Sequence, residues 1–211
     1  MALEEEIKLT ALNAATLDAV LSDPAVQAVA KTPEQVDYRA VYYDTEELLL
    51  LRNQLAFRAR KEAADRWRAA VKGTGGVVDG VSRRQEWEGY LSTLVQTLDA
   101  FPPGEMRNAL GHLIEQAPHA PLKPLLVTDF KRRAIPLHFP NGTVGELALD
   151  EGQVEAAGKA QQLCEVELEL VSGSLEPLQA LAEELKLRHP LHPSPHSKFA
   201  IGLILLGLPI Q

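Results

Sequence analysis

The stretch Leu3-Glu4-Glu5-Glu6-Ile7-Lys8-Leu9 carries the reading of this fold. In an extended chain successive side chains point to opposite faces, so Glu4, Glu6 and Lys8 share one face. The same period of two recurs along the chain. Arg58 and Arg60 share a face in LAFRARK, and Arg68 and Lys72 share one in WRAAVKG. In RRQEWEGY, Arg84, Glu86 and Glu88 lie on one side and Trp87 on the other. Glu146 and Asp150 alternate in ELALD. Glu165, Glu167 and Glu169 alternate with Val166, Leu168 and Leu170 in CEVELEL.

Taken singly, each segment reads as the solvated face of an antiparallel sheet. Taken together they resist that reading. Several strands carry acids in same-face pairs or triplets, which repel unless cations intervene. Others carry nearly pure bases, and the opposite faces are apolar enough to pack on a core. A closed barrel reconciles the two faces: apolar sides turn outward under covering helices, and charged sides line a wet interior. Carboxylates there suit hard divalent cations such as Mg²⁺ or Mn²⁺. Arginine forks and lysine ammonium groups suit phosphate oxygens. A lumen with both suits a metal–polyphosphate complex.

The remaining chain supports an α+β fold, an eight-stranded antiparallel β-barrel forming a tunnel with helices packed outside. Further strands are expected over 36–44, 125–137 and 143–149. Helical spacing appears over 13–30, interrupted at Pro24, over 91–117, and over 174–187. Gly73 to Gly80 reads as a hairpin turn without the GK[ST] of a phosphate-binding loop. Pro190, Pro193 and Pro195 impose an extended segment, and a last apolar element follows Ser197-Lys198.

The chain has 211 residues, 45% apolar and 24% charged, a length suited to one domain of ~150 residues or slightly more. We expect residues 1–211 to form a single domain. The 29 acids against 21 bases give a net charge of −8, which argues against a general nucleic-acid binder. One cysteine, Cys164, excludes a disulfide framework. The acidic start MALEEEIKL lacks the regions of a signal peptide, and no apolar run reaches the ~18 residues that span a bilayer. A cytoplasmic protein without membrane or nucleic-acid partners, monomer or homodimer, is expected.

Several segments resemble, in order, those of one family. Glu4-x-Glu6-x-Lys8 looks like an ExExK signature, Tyr42-Tyr43-Asp44-Thr45 like a YYDT segment, and residues 55–60 like an LRxR strand. Trp67 to Gly73 resembles a W-x-x-TxKG strand, with Ala70 in place of threonine. Arg84 to Glu88 resembles R-x-E-W-E, Glu146 to Asp150 resembles E-L-A-L-D, and Glu165 to Leu170 resembles E-x-E-L-E-L. Arg132 matches a late-strand arginine, with Arg133 as its competitor. Ser197-Lys198 resembles a late S-K pair, although Ile201-Gly202 stands where R-G is usual. The family is the CYTH superfamily, the triphosphate tunnel metalloenzymes.

The resemblance implies an eight-stranded tunnel that acts on triphosphates with Mg²⁺ or Mn²⁺. It assigns Lys8, Arg58, Arg60, Lys72, Arg84, Arg132 and Lys198 to phosphate binding. It assigns Glu4, Glu6, Asp150, Glu165 and Glu167 to metal, with Glu86, Glu88 and Glu169 as further candidates. Either Lys8 or Glu4 would orient or deprotonate the attacking water. YYDT and R-x-E-W-E resemble the inorganic triphosphatase branch, so hydrolysis of inorganic triphosphate to pyrophosphate and phosphate is expected. That branch often carries a C-terminal helical domain, which is not expected in this chain. Thiamine triphosphatase, class IV adenylate cyclase-type activity, and a non-catalytic polyphosphate- or nucleotide-binding module are the alternatives.

The histidines of HPLHPSPH (His189, His192, His196) read as a solvated loop or tunnel lid before a zinc site. Cys164, Trp67 and Trp87 alternate away from the charged faces and read as packing residues.

Overall fold

In the computed structural model, residues 2–73, 75–78 and 80–210 are described. The opening charged stretch lies in strand β1 (Ala2–Ala11). Then follow β2 (Glu34–Asp44), β3 (Leu55–Ala63), β4 (Arg66–Gly73), β5 (Gly76–Val78) and β6 (Val81–Leu91). The second half supplies β7 (Lys123–His138), β8 (Val144–Ala156), β9 (Lys159–Ser172) and β10 (Leu191–Pro193). All pairings are antiparallel. Around the ring the order is β1-β9-β8-β7-β2-β3-β4-β6, and β6 pairs back onto β1 from Ala2↔Glu86 to Ile7↔Val81. Eight strands therefore close a barrel. The two short strands lie outside the ring, β5 on β6 and β10 on β1.

The apolar strand faces turn outward, as the alternation requires. Ile7, Leu9, Ile135, Leu147, Val166 and Leu168 pack under three helices. These are α1 (Ala14–Leu21), α2 (Pro24–Gln27) and α6 (Glu176–Arg188). Pro24 does break the 13–30 helix: α1 ends at Ser22, and α2 restarts with Pro24 in its first turn and the Asp23 carboxylate accepting from the Ala25 N–H. A second outer core joins Tyr43, Phe57 and Val71 to α3 (Leu49–Arg52), α4 (Glu105–Ala109) and α5 (Gly111–Gln116). Trp67 and Trp87 pack on that cluster, as expected.

A third cluster closes one end of the barrel. There α7 (Lys198–Leu206) sets Ile201, with Phe199 beside it, against the inward-facing Tyr42, Ala56, Leu126 and Phe130. The Ser197 hydroxyl caps α7 by accepting from the Ala200 N–H. Gly207 ends the helix at φ 72°, a left-handed conformation that glycine adopts without Cβ strain.

Three expectations need correction. Residues 92–97 are not helical, and only a 3₁₀ turn at Leu98–Ala100 precedes α4. Here the backbone pairs across to 118–122, with Leu122 N–H donating to Gln96 O and Leu98 N–H to Ala120 O. Val95, Leu98 and Phe101 recur every third residue and still reach one core, so their spacing imitated a helix. The hairpin turn at 73–80 contains β5, though Thr74 and Asp79 of that stretch lie outside the described residues. The strand at 143–149 runs on to Ala156 and returns from Lys159, which makes β8 and β9 a long hairpin. Among the described residues no helix is long and apolar enough to cross a membrane.

Candidate functional site

The inward faces enclose a cavity of about 1070 Å³. In a ring of eight, β9 lies across from β3 and β8 across from β4. The wall of β3 and β4 therefore presents Arg58, Arg60, Arg68 and Lys72 toward the wall of β8 and β9, which presents Glu146, Glu167 and Glu169. Small residues pair with the charged ones across the ladder: Ala56↔Lys72, Arg58↔Ala70, Ala148↔Glu167. Ala70, which stands where the family usually has threonine, is buried and leaves only a methyl group opposite Arg58.

Ion pairs bridge adjacent strands. Arg84 Nε donates to Glu4 Oε2 at 2.5 Å, and its Nη2 donates to Glu6 Oε1 at 3.0 Å. Lys72 lies 2.8 Å from Glu86 and 3.5 Å from Glu4. Lys8 lies 2.9 Å from Glu167 and 3.4 Å from Glu6. On the basic wall, Arg68 holds Glu88 at 2.7 Å and Arg58 approaches it at 3.5 Å.

Asp150 and Glu165 do not line the cavity. They share the inward strand faces with Glu146 and Glu167 but are buried, 0% and 1% exposed, under Lys198 and Arg132. With Glu167 they form a triad whose carboxylate oxygens lie within 4.8 Å of one another. The Lys198 ammonium reaches all three, at 2.8 Å from Asp150, 2.6 Å from Glu165 and 2.7 Å from Glu167. Arg132 closes the cluster with a two-pronged contact to Asp150 (2.8 and 2.7 Å) and a 2.5 Å contact to Glu167. Arg133 pairs instead with Asp18 of α1, and of the two neighbouring arginines Arg132 is the one that lines the cavity.

The electrostatics divide the acids into two sets. Burial alone would raise Glu4 and Glu167. Lys72 and Arg84 overcome it at Glu4, and Lys198, Lys8 and Arg132 overcome it at Glu167, so both are held well below the usual carboxylate range. Burial likewise disfavours the Lys8 and Lys198 ammonium groups, but the surrounding carboxylates outweigh it and both amines are raised. Glu169 has no such rescue. It sits opposite Glu6 on one side and Glu146 on the other. Burial and the charges of Glu4, Glu6 and Glu146 push it up to about 7. Burial also raises Glu86 and Glu146, and Glu86 Oε1 has no hydrogen-bond partner among the described residues. Carboxylate oxygens crowded together with little cationic compensation fit a hard divalent cation. The triad is already offset by three cations, Lys198, Arg132 and Lys8.

Other motif residues serve the frame. Asp44 is buried, and its carboxylate accepts from the backbone N–H groups of Thr45, Leu50 and Leu51 (2.7–2.9 Å), tying down the loop into α3. His189 joins Arg188 on the buried Asp23 carboxylate (2.8 and 2.7 Å), while His196 lines the cavity mouth with Ser194. Cys164 is half-buried against the outer core. The sequence reading missed the lumen aromatics Tyr38 and Phe130. Their signal was the period-two run Tyr38-x-Ala40-x-Tyr42 on β2 and Phe130-x-Arg132 on β7.

The CYTH domain family profile matches residues 2–202. Among curated proteins, an inorganic triphosphatase from Haemophilus influenzae is 28% identical over 169 residues, covering 78% of this chain. The chain spans 44% of that relative's length. Among solved structures, a candidate adenylyl cyclase from Hippeastrum, described as having a dominant triphosphatase activity, superposes with a TM-score of 0.62 at 20% identity, covering 98% of this chain and 97% of that one. A candidate adenylate cyclase from Bacillus halodurans follows at TM-score 0.54 and 21% identity, covering 93% and 96%. The ordered motifs, the closed barrel, its charged lumen and the near-complete profile match agree, and the chain belongs to the CYTH domain family.

Proposed function

We propose that this chain hydrolyses inorganic triphosphate to pyrophosphate and phosphate inside the barrel, with Mg²⁺ or Mn²⁺, as one cytoplasmic domain. The observation that carries the reading is the opposition of walls: Arg58, Arg60, Arg68 and Lys72 face Glu146, Glu167 and Glu169 across one cavity. A polyphosphate bound along the basic wall would present its far oxygens to the acidic one.

In this reading Arg58, Arg60, Lys72, Arg84 and Arg132 bind phosphate oxygens and neutralise charge that grows on the leaving pyrophosphate. The carboxylates with the least cationic compensation, Glu169, Glu146 and Glu86, suit a divalent ion best, and Glu4, Glu6 and Glu88 would join them as Arg84, Lys72 and Arg68 turned toward phosphate. Asp150, Glu165 and Glu167 would take part once Lys198 turned toward substrate. When bound, such an ion polarises the phosphoryl group and acidifies a water. Lys8, held as an ammonium, cannot take a proton, so its role is to donate hydrogen bonds to a phosphate oxygen. Glu4, held as a carboxylate, accepts a hydrogen bond from the attacking water and orients it. The water oxygen bonds to the terminal phosphorus, its proton passes to an oxygen of the transferred phosphoryl group, the bridging P–O bond breaks, and pyrophosphate leaves.

The test is phosphate release from tripolyphosphate, thiamine triphosphate and ATP, each with Mg²⁺, Mn²⁺ or chelator. Metal-dependent turnover fastest on tripolyphosphate is expected. Activity confined to ATP or thiamine triphosphate would reassign the substrate. Wild-type turnover in both Glu4→Gln and Glu165→Gln would remove the catalytic reading.

A further inference from the structure

The lumen contains an aromatic pair that no charged motif accounts for. Tyr38 and Phe130 stand directly opposite each other on β2 and β7. Their rings stack with centroids 5.1 Å apart and planes 9° from parallel. Three of the lumen cations rest on this pair. The Arg60 guanidinium lies 3.8 Å from the Tyr38 ring centroid, and Arg132 lies 5.4 Å from it. Arg132 and Lys198 lie 5.7 and 5.0 Å from the Phe130 ring.

Arg132 and Lys198 are also fixed by the carboxylate triad, but Arg60 is not. Among the described residues its ion-pair partner is Glu62 on its own strand, at 2.5 Å from Nη2. Its Nη1 is buried and has no hydrogen-bond partner among the described residues. A guanidinium has five donors in a rigid plane, so laying that plane on a ring sets the direction of every N–H. The nearby small side chains leave room for this. Ala40 comes between Tyr38 and Tyr42 on the inward face of β2, and Val36 is opposite Arg132.

We propose that Tyr38, backed by Phe130, is a positioning residue: its ring holds the Arg60 guanidinium flat at the cavity that Arg60 lines, so that its N–H edge donates to a phosphate oxygen of the bound polyphosphate. The inference rests on the triphosphate reading above for the identity of the ligand. The ring, not the phenol hydroxyl, performs the positioning. A guanidinium over an aromatic face gains ~1–2 kcal/mol when shielded from water, which corresponds to about 5- to 30-fold in binding.

The experiment compares wild type with Tyr38→Phe, Tyr38→Leu, Arg60→Ala and the Tyr38→Leu/Arg60→Ala double variant. Thermal melting first establishes folding. Calorimetric titration with sodium tripolyphosphate and steady-state hydrolysis with Mg²⁺ then give affinity, KM and kcat. Tyr38→Leu is expected to weaken tripolyphosphate binding and raise KM about 5- to 30-fold, with kcat within about threefold. Tyr38→Phe is expected to restore both to within about twofold of wild type, because the ring remains. The double variant should bind no worse than Arg60→Ala alone. The proposal is overturned if Tyr38→Leu binds like wild type, if Tyr38→Phe is as weak as Tyr38→Leu, or if the losses simply add. If Tyr38→Leu fails to fold, Tyr38→Met replaces it, and the same criteria apply. Binding without hydrolysis in wild type would sink the hydrolase reading and leave the positioning claim to the titrations. Absence of tripolyphosphate binding in wild type would sink both.

Discussion

Lys198 shows how much one side chain decides. Its ammonium contacts three buried carboxylates, of which Glu165 is reached by neither Arg132 nor Lys8 in the ion pairs of the described residues. Removing one partner of a buried charge cluster leaves uncompensated charge. Lys198→Ala is therefore expected to lose about 3–5 kcal/mol in urea unfolding. Millimolar Mg²⁺ or Mn²⁺ should recover more stability in this variant than in wild type, because the triad oxygens are close enough to share an ion. Glu169 makes the opposite case. Its carboxyl is raised from 4.5 to about 7 by burial and by Glu4, Glu6 and Glu146, so the folded state binds that proton more tightly than the unfolded chain. Its contribution to stability is present below pH 4.5 and is lost as pH rises through about 7. Glu169→Gln should raise stability by on the order of 2 kcal/mol at pH 8 and change little at pH 4.5, as read by melting across that range.

At the scale of elements, the β7–β8 ladder is built around a glycine. Gly152 faces Phe130, and a Cβ there would sit 2.2 Å from the Asp129 carbonyl oxygen and 2.4 Å from Phe130 Cα. The strands approach this closely only because the side chain is absent. Gly152→Ala is expected to cost about 1–3 kcal/mol or more, and to weaken tripolyphosphate binding by moving the Arg132 strand. The outer helices should behave independently of the lumen. Leu185 of α6 is fully buried under the barrel's outer face. Leu185→Ala should cost about 2–5 kcal/mol in denaturant with KM unchanged. A shifted KM would mean that the helix layer and the lumen are coupled.

The whole molecule places its greasy surface outside the barrel and its charge within. Among the described residues nine acids and eight bases line the lumen, so the two signs nearly balance there and the surplus of acid lies elsewhere. Tripolyphosphate and a divalent cation supplied together should then stabilise the fold more than the sum of each alone. At about 100-fold excess over Kd the linkage is roughly 2.7 kcal/mol, or roughly 5–10 °C for a domain of this length. A thermal-shift matrix of metal against tripolyphosphate reads this directly. Merely additive shifts would contradict opposed metal and phosphate walls.

The sequence by itself determined which side chains share a face. A period of two is a property of the extended backbone, so Glu4, Glu6 and Lys8, or Arg58 and Arg60, had to point the same way in any strand. Their mixed charge and the apolar opposite faces then required a closed sheet, and the family motifs followed in order. Tertiary structure alone decided what meets across the ring. Strand order placed β9 against β3, which set the acidic wall facing the basic one. Asp150 and Glu165 lost their access to the cavity because α7 delivered Lys198 onto them. No local pattern marks Tyr38 as a seat for Arg60, because the two come from neighbouring strands joined by a long connection. The 92–97 segment misled for a related reason: its backbone bonds to residues 118–122, and such distant partners leave no trace in periodicity.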